Sequence, residues 1–182
     1  VMARHSGAEV VVVDVGTTFD LSHLPKVRQH KVAWGTEDFT QGPAMTKEQA
    51  EQAIHVGMQI ANEYIDKGYN LLETAEMGIG NTTSTSAIVS AFLGLDPELT
   101  VGRGSGINDE RMKIKRQVVI DGLAVNKPKL GDAMDVLCKV GGYDHAGLAG
   151  MIIAGAMHRV PTMVDGVNAT AAALLAYGLY PE

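Results

Sequence analysis

The chain has 182 residues, one cysteine, 5% aromatics and only 20% charged side chains. A single thiol, Cys138, rules out an internal disulfide and suits a reducing cytoplasm. It sits in an apolar run, MDVLCKV, that reads as helical, so a buried structural thiol is expected. Basic residues are outnumbered, 15 against 21 acidic, for a net charge of −6. That balance argues against nucleic acid or an anionic membrane as a main partner. No apolar run reaches the roughly 20 residues of a membrane span. The nearest, AGLAGMIIAGAM, is short and is followed by His158 and Arg159. No signal peptide is visible at the start. The histidines at 5, 23, 30, 55, 145 and 158 show no HxH or HExxH spacing, so neither they nor Cys138 carry a metal signature. No GxSxG or kinase motif set is present either.

What remains is 46% apolar residues and 21 glycines, a composition for one globular domain with tight helix contacts and glycine-rich turns. The opening VMARHSGAE reads as the last turns of a helix closed by Gly7, and the chain stops at YGLYPE with no clear final element. Both ends read as cut from a longer protein. The run EVVVVDV at 9–15 predicts a strand buried on both faces, hence parallel and central. Residues 16–46 are long and irregular, as a functional or covering loop would be. Thr46 with Gln49 predicts a capping box opening a helix over about 47–67, ended by Gly68. A strand at 69–75 follows, then a helix from Asn81 to about Leu93, stopped by Gly94. A short strand or extended piece is expected at 100–103 and a helix from Asn108 or Asp109 to about Val125. Further helices are expected at 132–140, 143–159 and 168–178, with a strand at 161–165. The glycines and alanines of 143–159 predict very close approach to a neighbouring element. This alternation predicts an α/β fold, a Rossmann-like parallel sheet flanked by helices, with residues 1–182 forming a single core domain.

In such sheets, ligands bind beyond the carboxyl ends of the strands. Three loops fall there: 76–83, 102–108 and 165–168. EMGIGNTT fits an anion cradle: Gly78 and Gly80 let the backbone approach, and Asn81, Thr82 and Thr83 add donors at a helix N-terminus. The plainer alternative is a well-capped helix start. A dinucleotide fingerprint would need glycine at Thr83, and a P-loop would need GK[ST], so neither matches. GRGSG at 102–106 is a second glycine-rich turn, with Arg103 inside it and Lys113, Lys115 and Arg116 on the next helix. Of these, Arg103 reads as a better anion ligand than Lys115. Glu76 ends a strand beside an anion-friendly loop, where a carboxylate orients a ligand, takes a proton, or caps the next helix. Asp165 ends another strand and is weighed in the same way.

EMGIGNTTS, GRGSG with Lys115, DVLCKVGGYDHAGLAG, VPTMVDG and GTEDFTQGPAMT together resemble the nicotinate-nucleotide–dimethylbenzimidazole phosphoribosyltransferases of cobalamin assembly. The likeness covers essentially the whole chain. It implies transfer of ribose phosphate from nicotinate mononucleotide to dimethylbenzimidazole or a related base, with inversion to the α-linked nucleotide. It also implies that Gly78, Gly80, Asn81, Thr82, Gly104, Ser105 and Lys115 hold the phosphoribosyl group, with Asp165 and Gly166 at the third loop. The position matching Glu76 lies near the base in that family and would hydrogen-bond its ring nitrogen. The family's principal catalytic glutamate falls in a later segment with no counterpart here, and an N-terminal portion that lines the base pocket is absent too. The smaller domain is therefore expected to be truncated, and the chain to bind nucleotide weakly and turn over poorly. The resemblance implies a homodimer, for which the small-residue helices offer faces, and no cofactor or metal. Two rival readings stand: a non-catalytic nucleotide-binding subunit or regulator on the same core and, more weakly, a NAD-type oxidoreductase.

Overall fold

The computed structural model describes residues 2–181. The end residues Val1 and Glu182, on which the reading of cut termini partly rests, lie outside them. In chain order the elements are α1 (Met2–Ser6), β1 (Val12–Asp14), β2 (Val27–Gln29), α2 (Lys47–Asp66), β3 (Leu72–Glu73), α3 (Asn81–Leu93), α4 (Pro97–Thr100), α5 (Asp109–Asn126), α6 (Ala133–Val140), α7 (Tyr143–His158), β4 (Thr162–Met163) and α8 (Gly166–Leu179). The fold is α/β, with short parallel strands and helices packed around them. Among the described residues, no helix is long and apolar enough to cross a membrane.

Local chemistry accounts for the helix ends. The Thr46 hydroxyl accepts from the Gln49 amide N–H while the Gln49 side chain accepts from Thr46, a complete capping box for α2. Asn108 and Asp132 cap α5 and α6 through their side-chain oxygens. Gly94 closes α3 in the left-handed region, φ 68°, where a side chain would be strained.

The strands depart from the single buried sheet that was expected. β1 pairs in parallel with β2, a strand inside the loop read as irregular, and β3 pairs in parallel with β4, as two separate two-stranded sheets. β1 is not buried on both faces: Val10 is 67% and Val12 48% exposed, while only Asp14 of β1 is buried. A β-branched run encodes strand propensity but not the number of layers that cover it. Residues 101–103 pair with no other strand, although Val101 is extended at φ −82° and ψ 114°, as the second half of that expectation had it. Asp96 caps and Pro97 opens the short helix α4, a start signal that outweighs the Thr-Val pair after it. The irregular remainder of 30–46 covers something, as expected. The Asn126 amide donates to Phe39 O at 2.6 Å, and the Ala44 and Met45 amides donate to Lys139 O and Cys138 O, tying the segment over α5 and α6.

The core centres on α7. Its small residues meet α2 backbone to backbone: a methyl at Gly57 would stand 1.8 Å from Gly147 O, and one at Gly150 would stand 2.0 Å from Ile54 O. The close approach expected of this helix is thus made inside the domain. Gly150, Ala149, Ala154 and Gly155 are buried there. Cys138 lies half-buried against the same core.

Candidate active site

The β3–β4 ladder brings two of the three expected loops together. Thr74, just past β3, donates its amide to Met163 O at 2.9 Å, and its hydroxyl accepts from the Asp165 amide at 3.0 Å. The tips of 74–83 and 164–168 therefore lie side by side. Glu76 leaves β3 partly buried. Its Oε2 accepts from the Gly78 amide at 3.0 Å and from the Asn81 amide group, and its Oε1 accepts from Asn168 Nδ2 at 2.7 Å. It does not cap α3, since these donors are a loop amide and two side chains. Oε2 is filled by its two donors, whereas Oε1, with one, keeps accepting capacity for an outside donor. Asn81 Nδ2 also donates to Asp144 Oδ2 at 2.7 Å, and Asn81 Oδ1 accepts from Asn168 Nδ2 at 3.0 Å.

This cluster needs its glycines for space. A methyl at Gly78 would lie 2.4 Å from Asp144 Oδ2 and 2.6 Å from Asn81 Nδ2. Gly80, at φ 83°, turns the chain into α3 and offers that helix no side-chain cap; in its first turn the Asn81 amide donates to Gly78 O at 3.2 Å and the Thr83 amide to Gly80 O at 3.0 Å. The opening loop exposes Met77 (88%) and Ile79 (98%) on its outer side.

The third loop joins through Thr82. Lys115 Nζ donates to Thr82 Oγ1 at 2.8 Å and to Gly102 O at 2.9 Å. Gly104, at φ 55°, packs against the same hydroxyl, where a methyl would come within 2.9 Å. Burial pushes the Lys115 amine below its ordinary pKa. Among the described residues Lys115 makes no ion pair, whereas Arg103 pairs with Asp109 and also donates to Ile107 O at 2.9 Å. Arg103 thus staples its own turn, and Lys115 is the better-placed cation, the reverse of the expected ranking. Ser105 and Asp165 are exposed, and neither makes a side-chain hydrogen bond to the other site residues. Gly166 begins α8 at φ 74°.

Three residues that sequence reasoning missed complete the arrangement. Asn168, in the first turn of α8, bridges Glu76, Asn81 and the Thr85 hydroxyl. Asp144 and His145 begin α7, after the Gly141–Gly142 pair. Burial acts to raise the Asp144 pKa, but the charge and hydrogen bonding of His145, with the Asn81 amide, outweigh it and hold it at about 2. The only cue was their place in KVGGYDHAG, since nothing local joins residues 60 or more positions apart.

Two cavities lie elsewhere, about 640 Å³ along α2 between His55 and Asp66 and about 370 Å³ beside α6 near Lys129 and Leu179. A family model described as "Phosphoribosyltransferase" matches residues 1–182. The chain is 48% identical over 181 residues to the nicotinate-nucleotide–dimethylbenzimidazole phosphoribosyltransferase of Chloroflexus aggregans. It is 49% identical over 182 residues to that of Geobacter sulfurreducens. Each match takes in 100% of this chain and 51% or 52% of the relative, so the chain spans about half their length. The crystal structure of CobT from Thermus thermophilus superposes with a TM-score of 0.92 at 41% identity, covering 98% of this chain and 54% of that one. With the family model matched from end to end and identity near one half, the chain belongs to the family of the nicotinate-nucleotide–dimethylbenzimidazole phosphoribosyltransferases.

Proposed function

We propose that the protein containing this chain moves the ribose phosphate of nicotinate mononucleotide to dimethylbenzimidazole or a related base in cobalamin biosynthesis. The products are α-ribazole phosphate and nicotinate. The observation that carries this reading is the junction of Glu76, Asn81, Thr82, Gly104 and Lys115 at neighbouring strand tips in a chain of this family. Lys115, partly buried and without a carboxylate partner, suits a phosphate, whose negative charge would offset the desolvation of its amine. Gly78, Gly80 and Gly104 leave backbone within reach of that phosphate, Thr82 adds a hydroxyl, and Ser105, Asp165 and Gly166 border the ribose. Glu76 faces the incoming azole.

The azole nitrogen forms a bond to the anomeric carbon from the face opposite nicotinate. The carbon–nitrogen bond to nicotinate breaks, its electron pair neutralises the cationic pyridinium nitrogen, and the azole proton passes to a carboxylate. Glu76 fixes the azole by hydrogen bonding, and holding the two reactants in line supplies much of the acceleration. Residues 1–182 act as one core domain, in the cytoplasm and within a homodimer. The names of its relatives support the substrates, and the lone cysteine supports a reducing compartment.

The test is steady-state kinetics of the protein from the complete reading frame, with separation of the nucleotide product. Glu76→Gln should raise the KM for the azole or lower kcat, with little change in the KM for the mononucleotide. Lys115→Ala should raise the mononucleotide KM by about 10- to 100-fold, the worth of one charge-assisted hydrogen bond. Unchanged kinetics in both variants would remove these residues from the site. Mononucleotide binding without turnover in the complete protein would favour a non-catalytic nucleotide-binding subunit.

A further inference from the structure

The hydrogen-bond polarity of the cluster can be followed atom by atom. Asn81 Nδ2 faces two carboxylates, Glu76 and Asp144, so that end of the amide must be the donor. Asn81 Oδ1 therefore accepts, and its partner, Asn168 Nδ2, donates both there and to Glu76. Asn168 Oδ1 is then left facing the Thr85 hydroxyl at 2.7 Å, and the single Thr85 proton is spent on it. His145 Nε2 lies 2.8 Å from the same hydroxyl oxygen, which can now only accept, so Nε2 carries a proton. The other ring nitrogen, Nδ1, is buried without an aligned hydrogen bond, yet it lies 3.0 Å from Asp144 Oδ1. A bare lone pair there would face a carboxylate in a residue only 1% exposed.

The surrounding charges point the same way. Asn81 ties Glu76 and Asp144 to one nitrogen, so the two carboxylates lie close together. Among the described residues neither has a lysine or arginine partner. α3 contributes no ionisable side chain and α8 only Tyr177, which is exposed. The buried face of α2 is Ala50, Ala53, Val56, Ile60 and Ala61. Lys31 pairs with Asp14 and Lys139 with Asp135, and Lys115, held by Thr82 Oγ1 and Gly102 O, pairs with neither carboxylate. Gly142 makes room for the pair, since a methyl there would lie 2.5 Å from Asp144 Oδ1 and 3.1 Å from His145 Nδ1.

We propose that His145 carries protons on both ring nitrogens and serves as the buried counter-charge of the Asp144–Glu76 carboxylate pair, acting through Thr85, Asn168 and Asn81 as a positioning residue for Glu76. The proposal rests on the reading of Glu76 as the azole-facing carboxylate. It adds that Glu76 stays ionised and oriented because a cation sits behind it. Without that cation two linked carboxylates share a partly buried site, and one of them takes up a proton.

Two measurements test this. The first is nitrogen NMR of the 182-residue chain labelled in histidine, at neutral pH. His145, identified by its slow solvent exchange, should show two protonated ring nitrogens, and an unprotonated Nδ1 overturns the proposal whatever the enzyme does. The second is kinetics of the complete protein. His145→Gln keeps an amide donor toward Thr85 but loses the charge. It should raise the azole KM about tenfold, equivalent to one pKa unit, with the mononucleotide KM unchanged within about twofold. Adding Asp144→Asn, which removes the second negative charge, should restore most of that loss. A His145→Gln enzyme with the wild-type azole KM, or a double variant no better than the single, overturns the positioning role. If instead Glu76→Gln is silent while His145 is doubly protonated, the azole reading of Glu76 fails and the buried ion pair stands.

Discussion

Gly57→Ala is the most demanding test of how this domain is held together. In an isolated helix the change stabilises by about 1 kcal/mol, because alanine is the better helix former. Here the new methyl would stand 1.8 Å from Gly147 O, against an ordinary carbon–oxygen contact of roughly 3.3 Å. The obstacle is a carbonyl inside α7, which has no rotamer to change. α2 and α7 must therefore separate by about 1.5 Å, and a gap of even 0.5–1 Å forfeits roughly a quarter to a half of each dispersion contact across it. Sliding is no escape, because Gly150 meets Ile54 O one turn along with the same tightness. Overpacking of this kind typically costs about 1–3 kcal/mol, and more where backbone opposes it. We expect a net loss of roughly 2–3 kcal/mol, or a Tm lower by about 4–12 °C for a domain of this size. The assay is urea unfolding followed by circular dichroism, with Gly42→Ala as the control, since no atom lies within 4 Å of a methyl there. A Gly57→Ala midpoint equal to or above wild type would refute the account of the α2–α7 contact.

Gly78→Ala should behave differently. Its methyl would meet only the movable ends of Asp144 and Asn81, so unfolding should shift by less than about 1 kcal/mol while the KM for the azole rises. Unaltered kinetics would show that the cluster tolerates displacement. Asp144 titrates near 2 in the folded chain, below the ordinary carboxylate value, so its stabilisation is present at neutral pH and is lost as pH falls from about 4 toward 2. Wild type should lose on the order of 2 kcal/mol more than Asp144→Asn across that window, and parallel pH curves in urea unfolding would contradict the shift. Burial raises the Cys138 thiol above its ordinary pKa, so it should react with a thiol reagent more slowly at pH 7 than a free cysteine does. An equal rate would mean that the thiol is open to solvent.

The boundaries of α2, α3, α5 and α6 were legible residue by residue, whereas α4 was not foreseen and α8 begins two residues before the expected 168. Thr46 with Gln49, Gly94, Asn108 and Asp132 mark boundaries within one residue of those observed, because a cap is decided by atoms three or four positions apart. The glycine-bearing turns at 76–83 and 102–106 were legible for the same reason, as was their place at helix starts. Partners in space were not. The run at 9–15 carries strand propensity, but whether it lies in the middle of a sheet or beside β2 alone depends on which chain edge meets it. The choice of Lys115 over Arg103 turned on Asp109, which occupies Arg103 and leaves Lys115 to Thr82. The linkage of Glu76, Asn81, Asp144, His145 and Asn168 joins three helices and a loop across as many as 92 positions. Capping and turn formation are settled within a few bonds of the residue concerned. The neighbours of a carboxylate are settled only when the helices and strands that carry them have closed around the core.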